Sequence, residues 1–183
     1  MRTGRLVASG LAVVTALAAG LAGSLVGFAG PAAAAVPASV RATDAKTLAV
    51  EVCEDMVRDA VVGSTGGPLA APQAGSWNAK GTRYTCTYPL NGGQLVIRVD
   101  TFPNKKKARA AYATTTKKSK VDQKLNGIGE RAFLGKDGRV VAEKDRFVLT
   151  TDPSRLPTKL SKANVSLAAV ETVLSCWVGT GGP

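Results

Sequence analysis

The sequence predicts an α+β protein in which an antiparallel sheet of about five strands carries its helices on one face, in the order α-ββ-α-βββ-α. Several stretches alternate apolar and polar side chains, which is the period of a half-buried strand. Short turns that contain glycine, asparagine or aspartate join successive strands, and such hairpins make antiparallel neighbours. Other stretches repeat apolar residues at helical spacing, so each predicted helix is expected to lay an apolar stripe on the sheet.

The chain begins with a segment typical of a secretory signal peptide. Arg2 and Arg5 precede an uncharged run over residues 6–28, and a stretch of alanines ends at Ala35. The run is long enough to remain as a membrane anchor, but its alanine and glycine content favours cleavage after Ala35. We therefore expect a signal peptide at residues 1–35, a flexible mature N-terminus at 36–43, a single domain at 44–178 and a frayed C-terminus at 179–183.

The charge balance points to anionic partners, which an exported protein would meet outside the cytoplasm. The chain carries 24 lysine and arginine residues against 13 aspartate and glutamate residues, for a net charge of +11. Such a charge attracts anionic wall polymers, acidic lipid surfaces or nucleic acid, and salt weakens the attraction. Nucleic acid is the least favoured, because aromatic residues in strands, such as Tyr84 beside Arg83, are usually core or cross-strand partners. With no second apolar run long enough for a membrane span, the mature protein is expected to be secreted and extracellular, or associated with the envelope.

A first helix is predicted from a cap at Thr43 or Asp44 to about Val62. Its apolar stripe consists of Ala49, Val52, Cys53, Met56, Val57 and Ala60. Its acidic face, available to pair with a basic helix, consists of Glu51, Glu54, Asp55 and Asp59. The glycine- and proline-rich residues 63–81 then predict a long loop, in which Trp77 is expected to cover the core.

Two strands follow as a hairpin. In the first, residues 83–89, one face carries Tyr84, Cys86 and Tyr88. Residues 91–93 supply the turn, and the second strand begins at Gln94. One face of this second strand carries Leu95, Ile97, Val99 and Thr101. Further along the chain, strands are predicted at residues 130–134, 139–143 and 146–151, and a closing helix at 160–178.

Between these two groups of strands lies the most basic helix of the chain. Pro103 ends the preceding strand, Asn104 can cap the helix, and Ala108 and Tyr112 belong to its apolar stripe. Three lysines fall in the first turn, where the helix macrodipole is already positive and prefers acidic residues. Backbone N–H groups and ammonium groups that converge there would favour a bound anion. The predicted anion-binding residues are Lys105, Lys106, Lys107, Arg109, Lys117 and Lys118. The alternative is a solvated charged face with no ligand.

Three cysteines lie in the predicted mature domain. In an oxidising compartment two of them should pair, and we expect a Cys53–Cys86 disulfide that leaves Cys176 as a free thiol on the last helix. Pairings of Cys176 with Cys53 or with Cys86 remain open. The chain has no histidine and no Cys-x-x-Cys spacing, so neither a metal site nor a cofactor is predicted.

Four features together resemble small exported actinobacterial domains of unknown function that are often found on lipoproteins. They are Cys53 in the first helix, Cys86 followed by Tyr88 in a strand, the stretch at residues 127–133, and the order of the elements. The resemblance implies an α+β fold like that of the PsbP proteins over residues 45–178, and an exported location. It implies no reaction. The lipid-attachment cysteine of those domains is missing here, and Cys176 is an addition.

The sequence contains no catalytic signature. Without histidine, both the Ser-His-Asp and the Cys-His arrangements are excluded. A hydrolase with a carboxylate pair would have to use Glu130 with Glu143 or Asp145, but acidic residues at strand ends are ordinarily solvated. The leading hypothesis is a non-catalytic binding module of the cell envelope whose basic helix contacts an anionic partner. The alternative partner is another exported protein, bound or regulated through an apolar surface.

Overall fold

The computed structural model describes residues 45–177. The predicted signal peptide, the flexible N-terminus and the C-terminal end from residue 178 lie outside the described residues, and so do the predicted helix caps Thr43 and Asp44. The described chain has one antiparallel sheet and three helices of more than ten residues, which confirms the predicted α+β class. The helices are α1 (Ala45–Val50), α2 (Asp55–Thr65), α3 (Lys105–Lys118) and α4 (Lys162–Trp177), with a 3-10 turn at Glu51–Cys53.

The sheet has seven strands, two more than the number predicted. They are β1 (Ala74–Trp77), β2 (Arg83–Leu90), β3 (Gly93–Thr101), β4 (Val121–Leu125), β5 (Arg131–Gly135), β6 (Val140–Lys144) and β7 (Phe147–Asp152). Their spatial order is β1-β2-β3-β7-β6-β5-β4. The two additional strands are the sheet edges β1 and β4, and β1 lies within the segment predicted as a long loop. Both are short and largely exposed, so neither produces a marked apolar alternation.

The predicted hairpin of β2 and β3 is confirmed. Tyr84, Cys86 and Tyr88 are buried on β2, and Leu95, Ile97 and Val99 are buried on β3. The two strands pair antiparallel with Cys86 opposite Ile97. Because both apolar rows belong to the same core, these central strands have the half-buried character that their alternation predicts.

The helices differ from the prediction in covering both faces of the sheet. The main core lies between one face of the sheet and the helices α1, α2 and α4. The side chains of Ala132, Val140 and Leu149 belong to this face. The neighbouring residues Phe133, Val141 and Val148 point to the other face and pack against Ala108 and Tyr112 of α3. Strands β5, β6 and β7 therefore carry apolar side chains on both faces, and each face needs a helix to exclude water.

The predicted first helix is interrupted, which corrects its length and its apolar stripe. Glu54 is extended, with φ −75° and ψ 162°, and separates the 3-10 turn from α2. The interruption frees backbone carbonyls: the Tyr88 hydroxyl donates to the Val52 carbonyl, and Gln73 Nε2 donates to the Cys53 carbonyl at 3.1 Å. Because the helix restarts in a new phase, the predicted stripe residue Met56 is 60% exposed.

Cys53 and Cys86 lie at disulfide-bonding distance, as the sequence predicts. Their Cα atoms are 5.5 Å apart, and 33 positions separate them along the chain. Cys176 is a free thiol on α4, half-buried, with its Sγ 3.5 Å from the Met56 Sδ. The bond ties the segment before α2 to a central strand of the sheet.

Candidate anion-binding surface

The N-cap and the buried side of α3 set the directions of its basic side chains. The predicted cap is confirmed, since Asn104 Oδ1 accepts a hydrogen bond from the Lys107 backbone N–H at 3.0 Å. Ala108 is fully buried, and the Tyr112 ring lies 5.8 Å from the Phe133 ring. With this side held against the sheet, the basic residues divide between an outward face and one flank.

Four lysines occupy the outward face, which we call the lysine face: Lys106, Lys107, Lys117 and Lys118. All four are exposed, and none forms an ion pair with another residue of the described range 45–177. The lysine pairs lie at the two ends of α3, about 16 Å apart along the helix axis. Between them the exposed side chains are small, namely Ala110, Ala113 and Thr114. A flat anionic surface or polymer can therefore reach both pairs at once.

The other two predicted anion-binding residues pair with carboxylates. Lys105 Nζ lies 2.8 Å from Glu130 Oε2, and Arg109 contacts Glu130 at 3.7 Å and Glu143 at 3.8 Å. The structure therefore divides the six predicted residues between a surface of four lysines and a separate ion-pair cluster, and anion binding by them stays a prediction. The acidic partners are also not those of the first helix, because Asp55 and Asp59 pair with Arg58 and α2 lies on the opposite face of the sheet from α3.

The ion-pair cluster is centred on a buried carboxylate. The Glu143 side chain is 0% exposed, and neither of its oxygens has a hydrogen-bond partner within the described part of the chain. Arg109 Nε and Arg131 Nε each lie 3.8 Å from it, outside hydrogen-bond distance. Burial raises the pKa of Glu143, the charge of Glu130 raises it further, and Arg131, Arg109 and Lys105 oppose the shift.

Glu130 behaves in the opposite way. Burial disfavours its charged form, but the Lys105 hydrogen bond, the Asp145 backbone N–H at 3.1 Å and the positive charges of Lys105 and Arg109 outweigh burial and lower its pKa. The structure therefore brings together the carboxylate pair considered for a hydrolase, with the Glu130 N–H donating to the Glu143 carbonyl at 2.8 Å. Glu143 is enclosed in this conformation, and both carboxylates pair with basic side chains of α3.

We expect Glu143→Gln to become more stable relative to the wild type as the pH rises above the ordinary glutamate pKa of about 4.3. A raised folded-state pKa means that the folded chain holds the Glu143 proton more tightly than the unfolded chain does. The resulting stabilisation is present below the unfolded pKa and is lost as the pH rises through the folded pKa. Glutamine keeps a similar shape and remains neutral throughout. Urea denaturation at several pH values measures the difference in unfolding free energy.

Glu130→Gln is the matched control for this titration. Its lowered pKa contributes stability above the unfolded pKa, and that stability is lost as the pH falls through the folded pKa. At neutral pH the control variant should therefore have a lower unfolding free energy than the wild type. In acid the two unfolding free energies should converge, which is the reverse of the trend for Glu143→Gln. A pH-independent effect of Glu143→Gln would show that this carboxylate is not the titrating group.

A second basic feature lies at the C-terminal end of α3, where a groove of about 390 Å³ opens beside the sheet edge. It is lined by Lys118, Ser119, Lys120, Phe133, Gly135, Lys136, Asp137 and Arg139. Of these only Lys118 belongs to the predicted site. The others were missed because they come from the link between α3 and β4, from β5 and from the turn between β5 and β6, which are close only in the folded chain. The sequence signal that could have indicated part of this groove is the close spacing of Lys118 and Lys120 at the end of the predicted helix.

Comparisons of the chain with protein-family models, with curated proteins and with solved structures give no match. The resemblance to exported actinobacterial domains stays a prediction. Within residues 45–177, no helix combines the length and the apolar character that crossing a bilayer requires. Across the same residues, no three acidic or cysteine side chains are grouped so that they could hold a metal ion.

Proposed function

We propose that the protein is a secreted, non-catalytic binding module of the cell envelope, and that its lysine face contacts an anionic polymer or an acidic lipid surface. The observation that carries this proposal is the exposure of Lys106, Lys107, Lys117 and Lys118 without ion-pair partners among the described residues, while the neighbouring Lys105 and Arg109 are paired. The disulfide and the apolar leader-like segment support the exported location.

The separation of the lysine pairs favours an extended partner over a small ion. An exposed lysine gains little from a single counterion in water, because salt screens the attraction over about 8 to 10 Å. A polymer that spans both ends of α3 engages the four charges together and releases its own counterions on binding. The small residues between the pairs let the polymer lie against the helix.

The test compares two triple variants of equal charge. Lys106→Gln, Lys107→Gln and Lys117→Gln remove three charges from the lysine face, and Lys80→Gln, Lys124→Gln and Lys159→Gln remove three exposed charges from elsewhere. With long-chain polyphosphate as the probe, the lysine-face variant should bind at least about tenfold more weakly at low salt. The slope of log affinity against log salt should flatten by about two.

The control variant should keep most of the affinity. Equal losses in the two variants would mean that net charge alone drives binding, and unchanged binding of the lysine-face variant would remove the proposal. Vesicles with acidic headgroups, used in place of polyphosphate, distinguish a lipid surface from a polymer. Binding that survives high salt would favour the alternative, a second exported protein bound through an apolar surface.

A further inference from the structure

We propose that the groove at the C-terminal end of α3 binds a phosphomonoester, a dianion that the lysine face alone would not select. Four cationic side chains line it, Lys118, Lys120, Lys136 and Arg139, against one acid, Asp137. Its volume, about 390 Å³, lies in the range of small-molecule sites. The groove and the lysine face have one residue in common, Lys118.

Backbone hydrogen bonds hold together the chain segments that carry the cationic side chains of the groove. The Lys136 N–H donates to the Lys120 carbonyl at 2.9 Å, and the Gly135 N–H donates to the Arg139 carbonyl at 2.8 Å. Gly138 closes the turn with φ +80°, and a Cβ atom there would come within 2.5 Å of the Lys162 Cβ. Only glycine suits this position, where the turn that carries Lys136 and Arg139 packs closely against the start of α4.

Arg139 supplies an independent indication of a ligand. Its Nε is buried and has no hydrogen-bond partner in the described chain, and its Nη2 lies 3.6 Å from Asp137 Oδ2, longer than a hydrogen bond. The Nε and Nη2 edge of a guanidinium is the edge that receives an oxyanion through two parallel hydrogen bonds. An unsatisfied buried donor is costly, so an oxyanion that takes the place of the Asp137 carboxylate at this edge would relieve a cost that an exposed arginine does not carry.

The charge of the groove favours a dianion. Four cations against one acid leave an excess of three positive charges, which suits a phosphomonoester at neutral pH better than a carboxylate or a phosphodiester. Lysines in the last turn of a helix also complement the macrodipole, and that accounts for Lys118. It does not account for Lys120, Lys136 and Arg139, which lie outside α3.

Binding can be measured on the full chain by titration calorimetry and by the backbone amide shifts of Gly135 and Gly138, with glycerol phosphate and inorganic phosphate as probes and acetate as the monoanionic control. We expect both phosphates to bind more tightly than acetate, and their affinity to fall as the pH drops below about 6, where the dianion takes up a proton. Arg139→Gln should weaken phosphate binding by about tenfold or more. The matched control Arg155→Gln should not.

A second variant keeps the outcome interpretable if Arg139→Gln unfolds. Lys120→Gln with Lys136→Gln removes two exposed charges from the groove and should weaken phosphate binding without lowering the unfolding midpoint. Equal affinity for acetate and phosphate, or phosphate binding that both groove variants retain, would overturn the proposal. The triple variant of the lysine face should still bind glycerol phosphate, so failure of the groove proposal and failure of the polymer proposal are separate results. A polymer bearing terminal phosphates, compared with free glycerol phosphate, distinguishes the two sources of the same group.

Discussion

Replacing Trp177 with alanine is expected to lower the free energy of unfolding by about 3 to 5 kcal/mol. The side chain is 2% exposed at the end of α4, and its ring lies 5.0 Å from the Phe147 ring on β7. Its indole Nε1 donates to the Leu48 carbonyl of α1 at 3.1 Å. One residue thus ties the last helix, the first helix and the sheet, and its removal leaves a cavity and takes away this hydrogen bond.

Chemical denaturation with urea measures this loss, and Trp177→Phe is the control. Phenylalanine keeps an aromatic ring beside Phe147 but cannot donate to the Leu48 carbonyl, so its cost should be smaller, about 1 to 2 kcal/mol. A loss of less than about 1 kcal/mol for alanine would show that α1 and the end of α4 contribute little to the folded domain.

Removal of the disulfide is expected to lower the free energy of unfolding by about as much as Trp177→Ala does. Cys53→Ala combined with Cys86→Ala opens a loop whose ends are 33 positions apart, and the chain-entropy relation gives a loss of about 3 to 4 kcal/mol. Both side chains also meet the main core, where Cys86 is fully buried. The unfolding free energy of the oxidised wild type and of the double variant measures the difference.

Cys176→Ala is the control for the disulfide, because this thiol is half-buried and contacts Met56 at the surface of the main core. It should cost less than about 1 kcal/mol. Peptide mapping without reduction should recover Cys53 linked to Cys86 and Cys176 open to alkylation. A wild type that loses no stability under reductant, or a peptide that links Cys176 to either partner, would contradict the observed pairing.

Local sequence patterns predict the centre of this fold well. The alternation of Tyr84, Cys86 and Tyr88 places β2, Asn104 starts α3, and the spacing of Val165, Ala169 and Val173 identifies α4. The edge strands β1 and β4 escape prediction because an edge strand with exposed side chains has no periodic signal, and its pairing depends on a neighbouring strand. At the interruption before α2, Tyr88 and Gln73 donate to carbonyls that the helix leaves free, and only the folded chain supplies these contacts.

The candidate site is predictable in composition but not in arrangement. Helical spacing places Lys105 and Arg109 on a different side of α3 from Lys106 and Lys117. The acids that pair with Lys105 and Arg109 are Glu130 and Glu143. They come from the β5–β6 hairpin, whose position next to α3 follows from the strand order. Charge counts along the chain therefore overestimate the freely available positive charge around α3.

The larger core and the proposed binding surface lie on opposite sides of the sheet. The disulfide, Trp177 and the larger apolar cluster lie on one side, whereas α3 packs on the other through a cluster of five buried residues, two of which are its own. Substitutions on the lysine face of α3, away from Lys105 and Arg109, leave both the principal core and the ion-pair cluster untouched, so this surface can change at little thermodynamic cost. A series of variants with different charge on the lysine face could therefore share one scaffold, which makes the proposed binding testable without loss of the fold.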